Sequence, residues 1–285
     1  MRDQRRRYRY LAVVLVVVVI ATLYALATPR PAYNYLDPAT PVYTARYAAA
    51  PVTTPYTITV VTYNIQYAEK IETATADLSQ LALQHGLDIA LLQEMDAAGV
   101  DQIARSLKFN YVYYPATIHP RSHRDFGNAI LTRWPILNSE KLLLPHLSPA
   151  TNITRTATKA VIQVGGTNVT AYSTHTETIL TLPAYRSDQY TAIAGDVGLS
   201  KYVVVGGDFN SLLPGDADEL DRTFGEIGMQ RTTGNIASTL ESYNLSFVAD
   251  HLFTRGFQVE QAGVLATAEA SDHFPVWAQF TFTQP

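Results

Sequence analysis

The 285-residue chain contains no cysteine. Disulfides and thiolate metal sites are thereby excluded, and any bound metal needs oxygen or imidazole ligands. Such ligands favour Mg2+ or Mn2+, with Ca2+ also compatible. Charged residues are sparse, 16% against 47% hydrophobic, a balance that suits one globular domain of about 200–250 residues plus an appendage. The chain also lacks a basic body. Setting aside the six arginines and one aspartate of residues 1–30 leaves 15 basic and 24 acidic side chains, a net of −9. A body that acidic is a poor general binder of polyanions, which weighs against nucleic acid as substrate, although a local basic cleft can sit on an acidic protein.

One long uncharged run is present. "MRDQRRRYRY" leads into "LAVVLVVVVIATLYALA", apolar from Tyr10 to Ala27. Its 18 residues are short for a spanning helix, which needs about 20. They are long for a signal-peptide core of about 7–15. Ala25-Leu26-Ala27 also resembles a small-x-small cleavage site. The segment is read as an uncleaved signal-anchor helix or a cleaved signal peptide. In both readings the basic residues 1–9 stay in the cytoplasm and the body is translocated. The expected locations are the cell membrane, single-pass with the folded domain outside the cytoplasm, or the exterior after cleavage. Residues 28–56, rich in Pro, Ala, Thr and Tyr without periodicity, read as a linker, and the folded domain is expected over 57–285.

Along the body, β-branched runs alternate with amphipathic ones. "TITVVTYNI", "LDIALLQE", "YVYYPAT", "NAILTRW", "TKAVIQV", "TNVTAYSTH", "KYVVVGGDFN", "VADHLFTR", "QVEQAGVL" and "PVWAQFTF" read as strands. "IETATADLSQLALQHG", "DQIARSLKF", "LPAYRSDQYTAIAGDV" and "ELDRTFGEIG" read as helices. The pattern indicates an α/β domain with mixed sheets.

Several of these strands end in a polar residue of catalytic type. Asn64, Glu94, His175, and Asp208 with Asn210 close their strands, Asp250 opens one, and Asp272 and His273 precede the last. Any one of them alone is more simply a turn residue, a helix-start acid, an Asx cap or a partly buried histidine. Together they fit one cleft, because strand ends lift side chains from a rigid sheet into a shared space.

The order "TYNI", "LLQE", "GNAILTRWPI", "STH", "GGDFNS", "DHLF", "SDHFPV" resembles the endonuclease/exonuclease/phosphatase superfamily, from about Thr59 to Phe280. The resemblance implies a four-layer α/β/β/α sandwich of two mixed sheets flanked by helices, and metal-dependent cleavage of a phosphate ester. Two departures stand out. Gln66 occupies a position where the abasic-site branch carries an acid, which argues against abasic-site activity. "TETIL" follows His175 where many relatives have leucine.

Ester hydrolysis needs an activated water, neutralised phosphate oxygens and help for the leaving oxygen. Asn64 and Glu94 are the expected metal-side residues, with Asp272 a second metal-side or water-mediated acid. Asp208 is expected to orient or deprotonate the attacking water, with Asn210 donating to a phosphoryl oxygen or holding the nucleophile. His175 is expected to donate to a non-bridging oxygen. His273, its ring held by Asp250, would stabilise the phosphorane or protonate the leaving group. Arg155, Asn128 and Arg124 are candidate substrate contacts. His119, Arg121, His123 and Arg124 form either a basic lip for an anionic head group or a solvated loop. The expected protein is a monomeric phosphoesterase acting on a lipid or small-molecule phosphodiester or phosphomonoester. A secreted nuclease on DNA or RNA is the alternative, and a catalytically inert binding module of the same fold is a third reading.

Overall fold

The computed structural model describes residues 32–49, 57–149, 151–242 and 244–283. The apolar run 10–27 lies outside these residues. Among the described residues no helix is long and apolar enough to cross a membrane.

Among the described residues sixteen strands and four α-helices follow in chain order. β1 (Tyr33–Asn34), β2 (Tyr43–Ala45) and β3 (Thr57–Asn64) lead to α1 (Ile71–His85), β4 (Ile89–Met95) and α2 (Ala97–Leu107). β5 (Asn110–Ile118), β6 (Asp125–Thr132), β7 (Ile136–Leu147), β8 (Thr154–Val164) and β9 (Thr167–His175) precede α3 (Pro183–Val197), β10 (Val203–Asp208) and α4 (Asp216–Gly225). β11 (Gln230–Arg231), β12 (Leu240–Ser242), β13 (Leu245–Phe247), β14 (Asp250–Arg255), β15 (Phe257–Val264) and β16 (Val276–Phe282) complete the chain.

The strands form two mixed sheets. One has the order β1-β5-β6-β4-β3-β16-β15, with β2 also on β5, and the other β11-β14-β10-β9-β8-β7. Ile58, Val60, Leu91 and Ile130 of the first sheet pack on Ala160, Ile162, Val204 and Leu252 of the second. The outer face of the first sheet is covered by Ala74, Leu78 and Leu81 of α1 and Val100 and Ile103 of α2. Tyr190, Ile193 and Val197 of α3, with Leu220 and Phe224 of α4, cover the second. The apolar spacings of three and four residues place each of these sets on one helix face. The result is the α/β/β/α sandwich that the resemblance implies.

Local chemistry sets the helix boundaries. The Asp96 carboxylate accepts from the Gly99 N–H at 2.7 Å and caps α2. The helix therefore starts at Ala97, a turn ahead of the expected "DQIARSLKF". Asp216, Asp218 and Glu219 fill the first turn of α4, which complements the helix dipole and starts that helix before Glu219. β7 and the β12–β13 hairpin were not anticipated. β7 is edge-placed and half-exposed, and its pairing with β8 shifts register between Leu143 and Leu147, so neither period two nor a buried run marks it.

Part of the expected linker is built into the fold. Tyr33 and Asn34 pair with Ile118 and Thr117, and Tyr43–Ala45 pair with Tyr113–Tyr111 of β5. The buried Lys141 ammonium donates to the carbonyls of Tyr35 and Thr40, each at 2.9 Å. This strap occupies the open edge of β5, an edge that would otherwise present unpaired backbone groups.

Candidate active site

Strand direction gathers the site. β3 and β4 run parallel, as do β9 and β10, so Asn64, Glu94, His175 and Asp208 leave the two sheets at one end. β14 is antiparallel to β10, with Asp250 opposite Asp208. β16 is antiparallel to β3. Asp250 and His273 therefore enter their strands at that same end. Gly207 has no room for a Cβ against the Thr174 carbonyl of β9, so only glycine lets β10 lie this close beside the His175 strand. Glu94 and Asn210 hold φ values of 59° and 49°, a left-handed backbone that non-glycine residues adopt mainly where function or packing demands it.

Asn64 ties two carboxylates together. Its Nδ2 donates to Asp208 Oδ2 at 2.9 Å and to Glu94 Oε1 at 3.4 Å. The Tyr67 N–H donates to the other Glu94 oxygen at 2.9 Å. Burial pushes the Glu94 carboxyl above its usual range, and the nearby His273 cation works against that shift. Asn210 N–H donates to Asp208 Oδ1 at 2.9 Å, and its side-chain amide donates to the Thr176 carbonyl at 3.1 Å.

The two histidines differ in charge. His175 is buried, and burial together with the Arg155 guanidinium holds its pKa well below the ordinary value. The ring is therefore neutral. Arg155 Nη1 lies 3.2 Å from its Nε2 and donates there, which leaves the proton on Nδ1, an atom without a hydrogen-bond partner. Glu94 Oε1 is 3.7 Å from that Nδ1. His273 is the opposite case. Burial disfavours its charge, but the Asp250 and Asp208 carboxylates prevail and raise its pKa to about 10. Its Nδ1 is 2.8 Å from Asp250 Oδ2, and its Nε2 is 3.8 Å from Asp208 Oδ2.

Sequence reasoning missed the groups that hold these side chains. Thr239 Oγ1 donates to Asp250 Oδ2 at 2.9 Å while accepting from the Ala249 and Asp250 N–H groups. No local pattern marks it, since it reaches the site only through the β12–β13 hairpin. Glu177 accepts from Arg155 Nη2 at 3.4 Å, and its place two residues after His175 was the one available signal.

Three expected site residues have these partners within the protein. The Asp272 side chain accepts only from Ser271 Oγ, at 3.4 Å, and makes no hydrogen bond to the metal-side residues. Asn128 is buried, donating to the Thr156 carbonyl at 2.7 Å. Arg124 is committed to Asp96 at 2.5 Å and to the Tyr67 carbonyl at 2.6 Å. The basic lip is also changed. His119 is buried between Tyr67 and Phe126, with ring centroids 4.8 and 4.9 Å away, and burial lowers its pKa to about 4. Arg121 lies over the Tyr67 ring at 5.1 Å.

Two overlapping groups can hold a cation. Glu94, half-buried, and Asp208, buried, form a pair of carboxylates bridged by the Asn64 Nδ2, and carboxylate oxygens suit a hard divalent ion. Asp208, Asp250 and His273 also offer ligand atoms within 4.8 Å of one another. In that second group His273 Nδ1 and Asp250 Oδ2 already bond each other. Arg155 Nε, Glu177 Oε2 and Asp250 Oδ1 are buried without partners.

The Glu94, Asp208 and Asp250 carboxylates, two histidines and an arginine thus gather at one end of an α/β/β/α sandwich. The sequence pattern of the Endonuclease/Exonuclease/phosphatase family matches residues 61–273, and the chain belongs to that family. No curated protein matches the sequence. Among solved structures, the human Nocturnin catalytic domain with bound sulfate shares 18% identity at a TM-score of 0.65, covering 85% of this chain and 98% of its own. The family protein from Beutenbergia cavernae shares 18% at 0.64, over 80% of this chain and 72% of its own. D. rerio TDP2 complexed with a single-strand DNA product shares 15% at 0.63, over 80% and 100%. These likenesses are of fold.

Proposed function

We propose that the chain is a divalent-metal-dependent phosphoesterase, tethered to the cell membrane through residues 10–27 or released where that segment is cleaved. A lipid or small-molecule phosphodiester is the favoured substrate. The observation that carries the reading is the placement of His175 and His273 on either side of Asp208, their Nε2 atoms 3.5 and 3.8 Å from its Oδ2.

Each group has a task that its environment supports. Asp208 takes the proton of the attacking water, whose oxygen bonds to phosphorus. His175 Nδ1–H donates to a non-bridging oxygen, and Arg155 adds positive charge beside it. As the bond from phosphorus to the leaving oxygen breaks, His273 gives that oxygen its proton, and Asp250 holds the ring throughout. Asn210 and Asn64 fix the two Asp208 oxygens. Glu94 and Asp208, with Asn64 beside them, would hold a divalent cation, which would neutralise phosphate charge.

The test presents the full chain with phosphatidylcholine vesicles, a soluble generic diester and single-stranded DNA, with and without EDTA. EDTA-sensitive release of phosphorylated head group is the expected result. Cleavage of DNA alone would replace it with a nuclease reading. A folded protein that turns over none of the three would leave only a binding module.

A further inference from the structure

The strap changes how the domain meets a membrane. A free linker over residues 28–56 would reach roughly 100 Å. Only five residues, Thr28 to Ala32, separate the apolar run from Tyr33, where β1 joins the sheet. From Ala27 to Tyr33 the chain spans at most about 20 Å.

The strap also enters at a defined place. Tyr33 pairs with Ile118, the last residue of β5. Ile118 pairs with Asp125, at the start of β6. β6 is antiparallel to β4, so this corner lies at the end where Glu94 emerges. The first residue of the strap therefore stands at the catalytic end of the sandwich.

That end carries exposed apolar side chains on its connections. Leu180 and Leu182 follow His175 and are 88% and 62% exposed. Leu213 follows Asn210, Leu245 begins the second strand of the hairpin beside His273, and Leu147 ends β7, all exposed. Tyr33 itself is 64% exposed. Arg121 and His123, on the connection from β5 to β6, are exposed there too. Leu83, Leu137 and Leu199 are exposed at the opposite end, so exposure alone selects neither end. The short leash does, because it ties the catalytic end to the bilayer and leaves the other end facing away.

We propose that the catalytic end is a membrane-docking face, held against the phospholipid bilayer that residues 10–27 occupy, with Leu180, Leu182, Leu213 and Leu245 entering the interface around the cleft. Apolar and aromatic side chains enter the headgroup boundary readily, and Arg121 suits its phosphates. The scissile ester of a lipid then meets the cleft without leaving the membrane plane. This inference rests on the proposed anchoring of residues 10–27.

The absence of cysteine makes the test direct. Leu180→Cys, Leu245→Cys, Leu83→Cys and Leu199→Cys, each in the full chain, are labelled with an environment-sensitive fluorophore. The protein is reconstituted in vesicles of phosphatidylcholine and phosphatidylglycerol carrying a lipid-borne quencher. Flotation reports anchoring independently of turnover. The expected result is co-flotation, with a blue shift and at least twofold stronger quenching at Leu180→Cys and Leu245→Cys than at the two far-end positions. Co-flotation with equal quenching at all four sites overturns docking but leaves anchoring intact. A chain recovered free of lipid overturns both. Neither outcome bears on hydrolysis of a soluble diester, which tests the phosphoesterase reading separately. Leu180→Asp with Leu182→Asp is expected to lower turnover of vesicle lipid at least fivefold and to leave turnover of the soluble diester unchanged.

Discussion

His273 Nδ1 lies 2.8 Å from Asp250 Oδ2, and Asp250 is fully buried beneath it. The carboxylate fixes the ring and stabilises its charge, while Thr239 holds the carboxylate. Replacing Asp250 with Asn keeps the shape and removes the charge. The expected effect is a loss of about 10²- to 10⁴-fold in kcat with little change in KM. Steady-state kinetics on a soluble diester, beside a thermal melt to verify folding, checks this.

Arg124 braces the site from outside. It grips the Tyr67 carbonyl, and the Tyr67 N–H holds Glu94. Residues 66–68 all have positive φ, a conformation that requires such bracing. Arg124→Met is expected to raise the Mg2+ concentration needed for half-maximal thermal stabilisation by about tenfold, in line with the loss of an outer partner of a metal ligand. Unchanged metal dependence would show that Arg124 serves only the Asp96 cap.

His251 sets an acid limit on stability. Its Nε2 meets Ser211 Oγ at 2.7 Å in a buried site against Phe209 and Phe253. Burial, helped by Arg231, lowers its pKa from 6.5 to about 3. Between those values the unfolded chain carries a proton that the folded chain excludes. Stability therefore rises with pH across the window and falls as pH drops below 6.5, by at most about 1.4 kcal/mol per pH unit. Urea melts from pH 7 to 4 are expected to show a shallower decline for His251→Gln than for the unaltered chain.

Removing residues 1–49 is expected to lower Tm by on the order of 5 °C relative to removing residues 1–31. The longer deletion exposes the β5 edge and strips the Lys141 ammonium of its two carbonyl partners, and a buried unpaired group costs about 1–3 kcal/mol. Equal melting temperatures would show that the strap contributes nothing to the fold.

The sequence revealed most clearly what each strand does by itself. "IALLQE" and "VVVGGDFN" announce both a buried strand and the acid at its end, because period, burial and chemistry coincide within a few residues. The resemblance then supplied the way those ends meet. What stayed hidden depends on contacts between distant segments. Tyr33 to Ala45 look like a linker because two or three residues of strand leave no period, and only the open β5 edge gives them a partner. Thr239 reaches Asp250 through a hairpin of three-residue strands. Arg124 reads as a free cation until Asp96, 28 residues upstream, is seen to claim it. Asp272 and its neighbour His273 read as dividing the work between metal and phosphate, and nothing in the sequence signals that the Asp272 carboxylate also accepts from Ser271 Oγ.

The central claim is tested most directly by hydrolysis of bis-p-nitrophenyl phosphate by the full chain in Mg2+, Mn2+ and EDTA, beside Asp208→Ala and His273→Ala. The account expects metal-dependent turnover that EDTA abolishes and that falls at least a hundredfold in both variants while they remain folded. Turnover that persists in EDTA, or survives in both variants, would contradict it.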